Sequence, residues 1–384
     1  MRIGLVSDTY APQVNGVTTV VRRIVALLSA QGHAVAIVAP RYAGMGEDPP
    51  NASELRVASL AFPLYPAIRL SLPRFREVAK FFDAFQPDLV HVHTEGTLGM
   101  TGRRYALRRS LPLVTSYHTN FAQYSRHYGF GFLAPAVWRW LERFHAPARL
   151  TLTPGEEIRD DLVRRGIRAV AWGRGVDTHL FHPGRRQPEW RRWLAGGDET
   201  PIVLHVGRLA AEKNLDVLIA AWRRAHENLG QRARFVVAGE GPLERRVASR
   251  LPFVRMLGFL PRPHLATLYA SADLCVFPSY SETCGLVALE AMSSGVAVIA
   301  ANASGFRESV QDDATGLLVA PHDPQAYVAA ISALVLDPAR RLALGAAARE
   351  RALARDVAHE NAELLQRYSE LTQPAPRRVT TCAA

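Results

Sequence analysis

Residues 274–292, LCVFPSYSETCGLVALEAM, contain a complete strand–loop–helix unit. The apolar run Leu274 to Phe277 is typical of a buried strand, and the polar residues from Pro278 to Gly285 are typical of a loop. An apolar helical stretch then continues to Met292. A strand that is apolar on both faces and is followed by a helix predicts a parallel sheet covered on both sides.

This alternation recurs along nearly the whole chain in two series. Strand-like runs of the first half are Ile3 to Val6, Ala34 to Val38, Leu89 to His93 and Leu113 to Ser116, with a helix-like stretch from Thr18 to Gln31. In the second half they are Ile202 to Val206, Arg234 to Ala238, Leu274 to Phe277 and Ala297 to Ala300, with helix-like stretches from Asn214 to Glu227 and from Pro242 to Leu251. Two such series predict an α/β protein of two doubly wound, Rossmann-like domains.

The composition of the chain marks where the two domains meet. Residues 183–201 are rich in Pro, Gly and charge and separate the two halves. We expect the first domain to span residues 1–168 and the second to span residues 170–352. A periodic helix over residues 356–371 is expected to cross back onto the first domain, and residues 372–384 are expected to be disordered.

Length and composition exclude several classes of protein. A chain of 384 residues that is 48% hydrophobic and 21% charged is too long for one ordinary core and is globular in composition. Its three scattered cysteines argue against a disulfide scaffold and a cysteine-based zinc site. The longest apolar stretches are about half the length of a membrane span. Met1 is followed almost directly by a strand, without an apolar leader, and we expect a cytoplasmic protein.

The net charge points to anionic partners. The 46 Lys and Arg residues exceed the 35 Asp and Glu residues by 46 − 35 = 11. Such an excess favours nucleotides, nucleic acid or an anionic membrane surface as partners. No zinc-finger, homeodomain or RNA-binding signature is present, which disfavours nucleic acid. A high-GC genome, which favours arginine, is the alternative explanation of part of the excess.

In doubly wound sheets, ligands bind beyond the carboxyl ends of the strands, so the loops after strands are informative. The loop after the first strand ends at Asn15 and Gly16, where a helix begins. Bare backbone at Gly16 and the unpaired amides of the helix form a phosphate site; an ordinary strand-to-helix turn is the alternative. The loop is neither G-x-G-x-x-G nor a P-loop, which disfavours a dehydrogenase and an ATPase.

Two loops of the second half carry opposite charges. Arg208 and Lys213 follow its first strand and can bind a diphosphate, although a solvated helix start is the alternative. Glu282 and Glu290 are eight positions apart, close to a whole number of helical turns, so both carboxylates can face one ligand. A carboxylate in an apolar helix requires a polar partner such as ligand hydroxyls. Two carboxylates are also typical of glycosidases, but hydrolysis does not require a diphosphate site.

Three further features of the first half allow two interpretations each. His91 and His93 share one face of a strand, as a metal pair would, but no third ligand is evident and packing is the favoured interpretation. Residues 138–144 combine Trp138, Trp140 and Phe144 with two arginines. This segment fits a membrane interface or a helix that buries its aromatic residues. Arg103, Arg104, Arg108 and Arg109 fit an anionic surface or a solvated face.

Together these motifs resemble the retaining family 4 glycosyltransferases, whose GT-B fold has two Rossmann-like domains facing across a cleft. The resemblance covers nearly all of residues 1–371. Its motifs are Asp8…Pro12…Asn15-Gly16-Val17, Pro87 to His93, Ser116-Tyr117-His118-Thr119, Gly175-Val176-Asp177, Gly207-Arg208-Leu209 with Lys213, Gly239-Glu240-Gly241-Pro242, Ser271-Ala272-Asp273 with Pro278-Ser279, and Glu282 with Gly285 and Glu290. Within that family, the first half is most similar to GDP-mannose-dependent lipid mannosyltransferases and to sulfoquinovosyl-diacylglycerol synthases.

The resemblance implies roles for the residues at matching positions. The transferred sugar would be held by Glu282 and the amides from Cys284 through Gly285 to Leu286, and the ribose by Glu290. The catalytic residues would be Gly16 at the donor phosphate, Arg208 and Lys213 at the diphosphate, Glu282, and His118 beside the sugar. The nucleobase would contact the segment around Arg255 and Met256. The acceptor side would include Asp8, Tyr10, Asn15 and Tyr117.

The sequence departs from the family pattern at three places. Cys284 stands where an aromatic residue is commoner, Ser304-Gly305 stands where two glycines are usual, and Gly295-Val296-Ala297-Val298 lacks the usual proline. These departures affect which sugar is held, and not the class of reaction.

The chemistry of the reaction agrees with these residues. Breaking the sugar–diphosphate bond builds negative charge on the phosphate, which Mg²⁺ or preplaced cations and amides can stabilise. Arg208, Lys213 and Gly16 are present and an Asp-x-Asp motif is not, so we expect transfer without a metal or another cofactor. In retaining transfer, the departing phosphate can accept the proton of the acceptor, and we expect Asp8 and His118 to position ligands.

The sequence therefore predicts retaining transfer of a hexose, with GDP-mannose as the first donor, to a hydroxyl of a lipid or lipid-linked glycan. A nucleotide-diphosphate sugar and that acceptor are the expected partners, with contact to an anionic membrane and none to nucleic acid. UDP-sugars, including glucosyl, glucuronosyl and sulfoquinovosyl donors, are the alternative. A non-catalytic nucleotide-sugar or glycan-binding protein is the alternative from another class, and a dehydrogenase is disfavoured.

Overall fold

The computed structural model describes residues 1–13, 15–42, 54–62, 65–118, 134–172, 175–196, 200–282 and 284–373 of the chain. The chain forms two compact units, one of Met1–Gly173 with Asn361–Ala384 and one of Arg174–Glu360. The division falls a few residues after the boundary expected at 168–170, because a strand at Ala169–Ala171 completes the sheet of the first unit. Most of the tail that we expected to be disordered, residues 374–384, lies outside the described residues.

The first unit is built on a seven-stranded parallel sheet. Its strands are β1 (Arg2–Val6), β2 (Ala34–Pro40), β3 (Glu54–Val57), β6 (Leu89–Val92), β7 (Leu113–Ser116), β8 (Leu150–Thr153) and β9 (Ala169–Ala171). Their order across the sheet is β3-β2-β1-β6-β7-β8-β9. β4 (Ser59–Phe62) and β5 (Tyr65–Ser71) form a separate antiparallel hairpin. The strand order reverses beside β1, which is the doubly wound pattern predicted from the sequence.

Helices follow the strands of this unit. They are α1 (Gly16–Ala30), α2 (Phe75–Phe85), α3 (Thr97–Arg108), α4 (Ala134–His145), α5 (Glu156–Arg164) and, after the second unit, α14 (Val357–Thr372). Leu364 and Tyr368 of α14 are fully buried in the same core as Ile3 and Leu5 of β1. The end of the chain therefore completes the core of the first unit.

The second unit contains a six-stranded parallel sheet. Its strands are β10 (Ile202–Val206), β11 (Arg234–Ala238), β12 (Arg255–Met256), β13 (Leu274–Phe277), β14 (Ala297–Ala301) and β15 (Leu317–Val319), in the order β12-β11-β10-β13-β14-β15. Its helices are α6 (Pro188–Ala195), α7 (Leu215–Leu229), α8 (Glu244–Arg250), α9 (Arg262–Ser271), α10 (Leu286–Ser293), α11 (Ser304–Arg307), α12 (Pro324–Leu336) and α13 (Pro338–Leu353).

Both faces of the second sheet are buried. Leu204 and Val206 of β10 belong to one apolar cluster, whereas Val203 between them belongs to the cluster on the opposite face. Side chains alternate across a strand, so a strand that is apolar at every position needs a layer of helices on each side. This constraint explains why the short apolar runs of the sequence predict the sheets well.

The loops at the carboxyl edge of this sheet approach each other at two glycines. Gly239 follows β11 with a φ of 139°, and a Cβ atom there would lie 1.9 Å from the carbonyl oxygen of Gly207, which follows β10. Only a residue without a side chain allows this approach. The bare backbone at residue 239 therefore fixes the start of the loop that carries Arg208 and Lys213.

Gly239→Ala is expected to destabilise the second unit more than Gly196→Ala. Gly196 also has a positive φ, of 69°, but a Cβ atom there would meet no atom within 4 Å. Its substitution should lower the free energy of unfolding by about 1 kcal/mol, the strain of a left-handed residue. The clash at residue 239 should add about 2 kcal/mol.

Urea unfolding of the two variants measures this difference. Equal unfolding midpoints for Gly239→Ala and Gly196→Ala would show that the loop after β10 moves aside freely.

Candidate functional site

Lys213 and Glu282 form an ion pair at the carboxyl edge of the second sheet. Lys213 ends a short 3-10 turn at Ala211–Lys213 after β10, and Glu282 lies in the loop between β13 and α10. The ammonium group of Lys213 donates a hydrogen bond to Oε1 of Glu282, and both side chains are largely buried. Lys213 is one of only two lysines in a chain that otherwise uses arginine as its cation. The structure thus joins two of the predicted site residues.

Asn214 holds the loops around this pair together. It adopts a left-handed conformation with a φ of 55°, and its amide nitrogen donates to the carbonyl oxygens of Pro278 (3.0 Å) and Pro321 (2.7 Å). The hydroxyl of Ser281 donates to the Glu212 carbonyl oxygen at 2.9 Å. Three loops, after β10, β13 and β15, are therefore tied at one point. The sequence does not reveal that Asn214 bridges these loops, because an asparagine just before a helix is typical of a helix cap.

Gly305 and Gly285 position the backbone of Glu282. The amide of Gly305 donates to the carbonyl oxygen of Glu282 at 3.1 Å, and a Cβ atom at residue 305 would lie 2.4 Å from that oxygen. Gly285 precedes α10 with a φ of 62°. This packing requires a glycine at residue 305, and the Ser304-Gly305 pair has its glycine at that position. Cys284 and Leu286 flank Gly285 and are partly buried.

Glu290 is a buried carboxylate on α10. The residue is 8% exposed, and its Oε1 accepts a hydrogen bond of 3.2 Å from the guanidinium of Arg262 at the start of α9. Burial raises the pKa of Glu290 to about 7, while the arginine acts in the opposite direction. A carboxylate in such surroundings stabilises ligands that donate hydrogen bonds.

Tyr269 is a buried tyrosine of α9. Its hydroxyl is fully buried and has no hydrogen-bond partner within the described part of the chain. Burial raises its pKa well above the ordinary value, and the charges of Glu290 and Glu282 both add to this shift. Both carboxylates therefore contribute to the electrostatic surroundings of Tyr269.

His205 adds a neutral acceptor that sequence reasoning missed. Its Nδ1 lies 2.8 Å from the carbonyl oxygen of Val276, so this nitrogen carries the proton. Burial lowers the pKa of His205 to about 4, and the charges of Lys213 and Glu282 also act on it. Its Nε2 is buried and lacks a hydrogen-bond partner in the residues described. The one signal in the sequence is a histidine within an otherwise apolar strand.

The remaining predicted donor residues of this unit are Arg208, Arg255 and Met256. Arg208 is exposed in the loop after β10. The guanidinium of Arg255 lies 4.5 Å above the ring of Trp193 and donates to the carbonyl oxygen of the same residue. Met256 pairs with Val237 of the neighbouring strand. The Arg255 side chain therefore holds α6, and the structure does not bring it together with Glu282 and Glu290.

In the first unit, Asp8 anchors the start of α3. Its carboxylate accepts hydrogen bonds from the amides of Leu98 (2.9 Å) and Gly99 (3.2 Å) and from the hydroxyl of Thr94 (2.8 Å). Burial raises the pKa of Asp8, and these hydrogen bonds partly oppose the shift. The sequence predicted Asp8 on the acceptor side and did not indicate that it binds the amides at the start of α3.

Asn15 and Gly16 form the start of α1. The side-chain oxygen of Asn15 accepts from the amide of Thr18 at 2.9 Å, which makes it the cap of the helix. A Cβ atom at Gly16 would meet no atom within 4 Å, so the surface beside it is open. Tyr10 is buried beneath the guanidinium of Arg56, 5.1 Å from the ring centroid.

His118 is partly buried and lies beside the buried His93. Its Nε2 is 3.4 Å from Nδ1 of His93, and the two rings stack with centroids 5.7 Å apart. Burial lowers the pKa of His118 to about 4, so the ring is neutral near pH 7. His91 bonds to Tyr368 (2.5 Å) and Ser116 (2.7 Å). In the described residues, no three His, Cys, Asp or Glu side chains are arranged to hold a metal ion.

The aromatic segment of α4 packs mostly inward. Phe144 is buried, and Trp138 stacks on the buried Tyr117 with centroids 6.4 Å apart, beneath the guanidinium of Arg165. Trp140 alone of the three predicted aromatics is more than a third exposed. Packing therefore accounts for Tyr117 and for two of these three aromatic residues.

Two family models match the chain. The model described as Glycosyltransferase Family 4 matches residues 14–180, and the model described as Glycosyl transferases group 1 matches residues 186–351. The matches correspond closely to the two units of the structure.

Curated relatives match across most of the chain. A GDP-mannose-dependent alpha-mannosyltransferase of Mycolicibacterium smegmatis is 36% identical over 363 residues, which cover 92% of this chain and 93% of that protein. The sulfoquinovosyl transferase SQD2 of Arabidopsis thaliana is 35% identical over 325 residues, 82% of this chain but only 62% of SQD2. An alpha-monoglucosyldiacylglycerol synthase of Streptococcus pneumoniae is 29% identical, covering 83% of this chain and 75% of that protein.

A solved structure confirms the architecture. Sucrose-phosphate synthase from Thermosynechococcus elongatus superposes with a TM-score of 0.75 at 24% identity, covering 96% of this chain and 98% of that one. With two doubly wound units and full-length relatives above 30% identity, the chain belongs to the family 4 glycosyltransferases of the GT-B fold and is an enzyme that transfers a sugar.

Proposed function

We propose that this glycosyltransferase moves mannose from GDP-mannose to a hydroxyl of a lipid or lipid-linked glycan, with retention of configuration and without a metal ion. The observation that supports this proposal best is the joined pair of Lys213 and Glu282 at the carboxyl edge of the second sheet, with the buried carboxylate Glu290 on the helix that follows Glu282. A cation and two carboxylates in one unit suit a ligand that has both phosphates and hydroxyls.

Lys213 and Arg208 would stabilise the departing diphosphate. Charge builds on the phosphate as the sugar bond breaks, and a preplaced cation lowers the free energy of that state. Lys213 is held by Glu282 and by the turn after β10, so it needs little reorganisation. When the diphosphate binds the ammonium group of Lys213, Glu282 would be released from Lys213 and would accept a hydrogen bond from a sugar hydroxyl instead.

The donor nucleotide is proposed from the relatives. The mannosyltransferase of M. smegmatis, named for GDP-mannose, matches over nearly its full length. SQD2, named for sulfoquinovosyl transfer, matches over 62% of its length. UDP-sugars are therefore the second candidates. The diacylglycerol in the name of the pneumococcal relative favours a lipid acceptor.

The charge states in the first unit favour a reaction without a protein base. His118 is neutral near pH 7 with a pKa of about 4, so it is a weak base and can instead position a hydroxyl by hydrogen bonding. The Asp8 carboxylate is already bound to two amides and a hydroxyl. We infer that the departing phosphate accepts the proton of the acceptor hydroxyl, on the face of the sugar that it leaves.

The hairpin and α3 of the first unit offer a surface for an anionic membrane. Leu60, Leu70 and Leu72 expose 62%, 43% and 58% of their surface, and Leu60 pairs with Leu70 across the hairpin. Arg104 of α3 is exposed nearby and stacks on Phe75, 4.7 Å from the ring centroid. No helix in the described ranges is long and apolar enough to cross a membrane. Exposed leucines beside cations suit peripheral binding.

Replacing Lys213 with Ala is expected to lower kcat for sugar transfer by about 100-fold or more, as the loss of a preorganised charge does. Arg224→Ala is the matched control, because Arg224 is an exposed cation of the same unit that pairs with Glu227 on the same helix. Transfer of radiolabelled sugar from GDP-mannose, UDP-glucose and UDP-sulfoquinovose to extracted lipids measures the rate and the donor. Near-wild-type turnover in Lys213→Ala would refute the diphosphate role, and faster transfer from a UDP-sugar would replace the proposed donor.

Transfer should persist in excess EDTA, since protein cations and amides are proposed to stabilise the diphosphate in place of Mg²⁺. The same radiolabel assay, run with EDTA and then with added Mg²⁺ or Mn²⁺, measures this. Loss of turnover with EDTA and recovery with either ion would show that a metal takes part.

Binding to liposomes of phosphatidylglycerol should weaken as salt rises, because salt screens exposed charges. A double substitution, Leu70→Glu with Leu72→Glu, should weaken binding further, whereas Leu342→Glu on α13, where the leucine is 70% exposed, should not. Liposome co-sedimentation measures the bound fraction. Equal binding to neutral and anionic liposomes would contradict the charge contribution.

A further inference from the structure

The buried carboxylate Glu290 has a half-exposed cation as its partner. Arg262 is the first residue of α9, and its Nη1 lies 3.2 Å from Oε1 of Glu290. The Arg262 side chain is 50% exposed and that of Glu290 is 11% exposed. Within the described part of the chain, no other side chain bonds this carboxylate. Arg262 therefore stands between solvent and Glu290.

Packing fixes the position of Arg262. Its guanidinium lies 5.1 Å above the ring of Phe181, which is fully buried. That ring meets the ring of Tyr269 edge to face, with centroids 5.8 Å apart. A cation over an aromatic face is held in one place at modest cost. Packing therefore holds Arg262 in contact with Glu290.

One bond from Arg262 leaves capacity on the carboxylate. An ionised carboxylate can accept about four hydrogen bonds, and Arg262 uses Oε1. Oε2 can accept hydroxyl groups of a ligand at the same time, and these bonds are stronger while Glu290 is charged. A protonated Glu290 would accept hydrogen bonds from these hydroxyl groups more weakly.

We propose that Arg262 is a positioning residue for donor binding, which keeps the Glu290 carboxylate charged and oriented while Glu290 receives the hydroxyls of the nucleoside. This inference rests on the proposed role of Glu290 in binding the donor. It adds a residue that the motifs of the sequence did not identify, and it sets the pH range in which the donor binds.

The other groups around α10 leave Arg262 as the cation that acts on Glu290. Tyr269, also on α9, and Cys275 of β13 are both kept neutral, because burial raises their pKa well above the ordinary values. Arg349 of α13 binds backbone oxygens at the far end of α10. β14 contributes only apolar side chains.

The direction of the pH effect follows from these charges. Burial raises the pKa of Glu290 to about 7, and Arg262 opposes the rise. Lowering the pH through about 7 protonates Glu290 and should weaken nucleotide binding. Without Arg262 the pKa rises further, so binding should weaken at a higher pH.

The test compares nucleotide binding across pH 6 to 9 by calorimetry, with GDP and UDP as probes. Arg262→Gln should move the midpoint of the acid limb upward by about one pH unit, which weakens binding about 5-fold at the wild-type midpoint and about 10-fold at lower pH. Arg262→Lys keeps the charge and should keep the wild-type midpoint. Arg246→Gln is the matched control, because Arg246 is an exposed cation of the same unit paired with Asp216.

Carboxyl NMR of ¹³C-glutamate-labelled protein reads the titration of Glu290 without any ligand, with Glu290→Gln to assign the signal. A higher titration point in Arg262→Gln supports the inference even if that variant binds no nucleotide. An unchanged titration point overturns it. If Glu290→Gln binds nucleotide as tightly as wild type at every pH, the donor role of Glu290 fails instead, and the NMR result still judges the contact with Arg262.

Discussion

The ion pair of Lys213 with Glu282 is the contact on which the loops at the carboxyl edge of the second sheet depend. Each residue follows a different strand, and neither charge is stable in a largely buried place without the other. Their attraction pulls the loop after β13 onto the loop after β10. Each group therefore compensates the charge of the other.

Three buried polar side chains of the second unit also have unused hydrogen-bonding capacity. His205 and Tyr269 are buried with one unpaired polar atom each in the described residues, and Glu290 has a single side-chain partner. Buried polar groups without partners lower the stability of a fold. Natural proteins accept such losses at sites where a ligand supplies the missing bonds. The proposed donor would supply such bonds and so stabilise the second unit.

Much of the fold and part of the site could be predicted from the sequence. Two series of apolar strands and amphipathic helices gave the two doubly wound units, because burial on both faces of a parallel sheet leaves little choice of pattern. The pairing of Lys213 with Glu282 joins two residues that the loops after the strands had indicated. The partners of Asp8 and Arg255 could not be predicted, because they lie 90 and 62 positions away along the chain and are chosen by packing. The bridging role of Asn214 could not be predicted, because an asparagine before a helix is typical of an ordinary helix cap.

The bridging amide of Asn214 also bears on how this enzyme can change over evolution. Because one side chain fastens three loops, an insertion or deletion in any of them would shift the other two. New specificities are then easier to acquire by exchanging side chains than by lengthening loops. Enzymes that keep this asparagine should therefore diversify by point substitution at a fixed backbone.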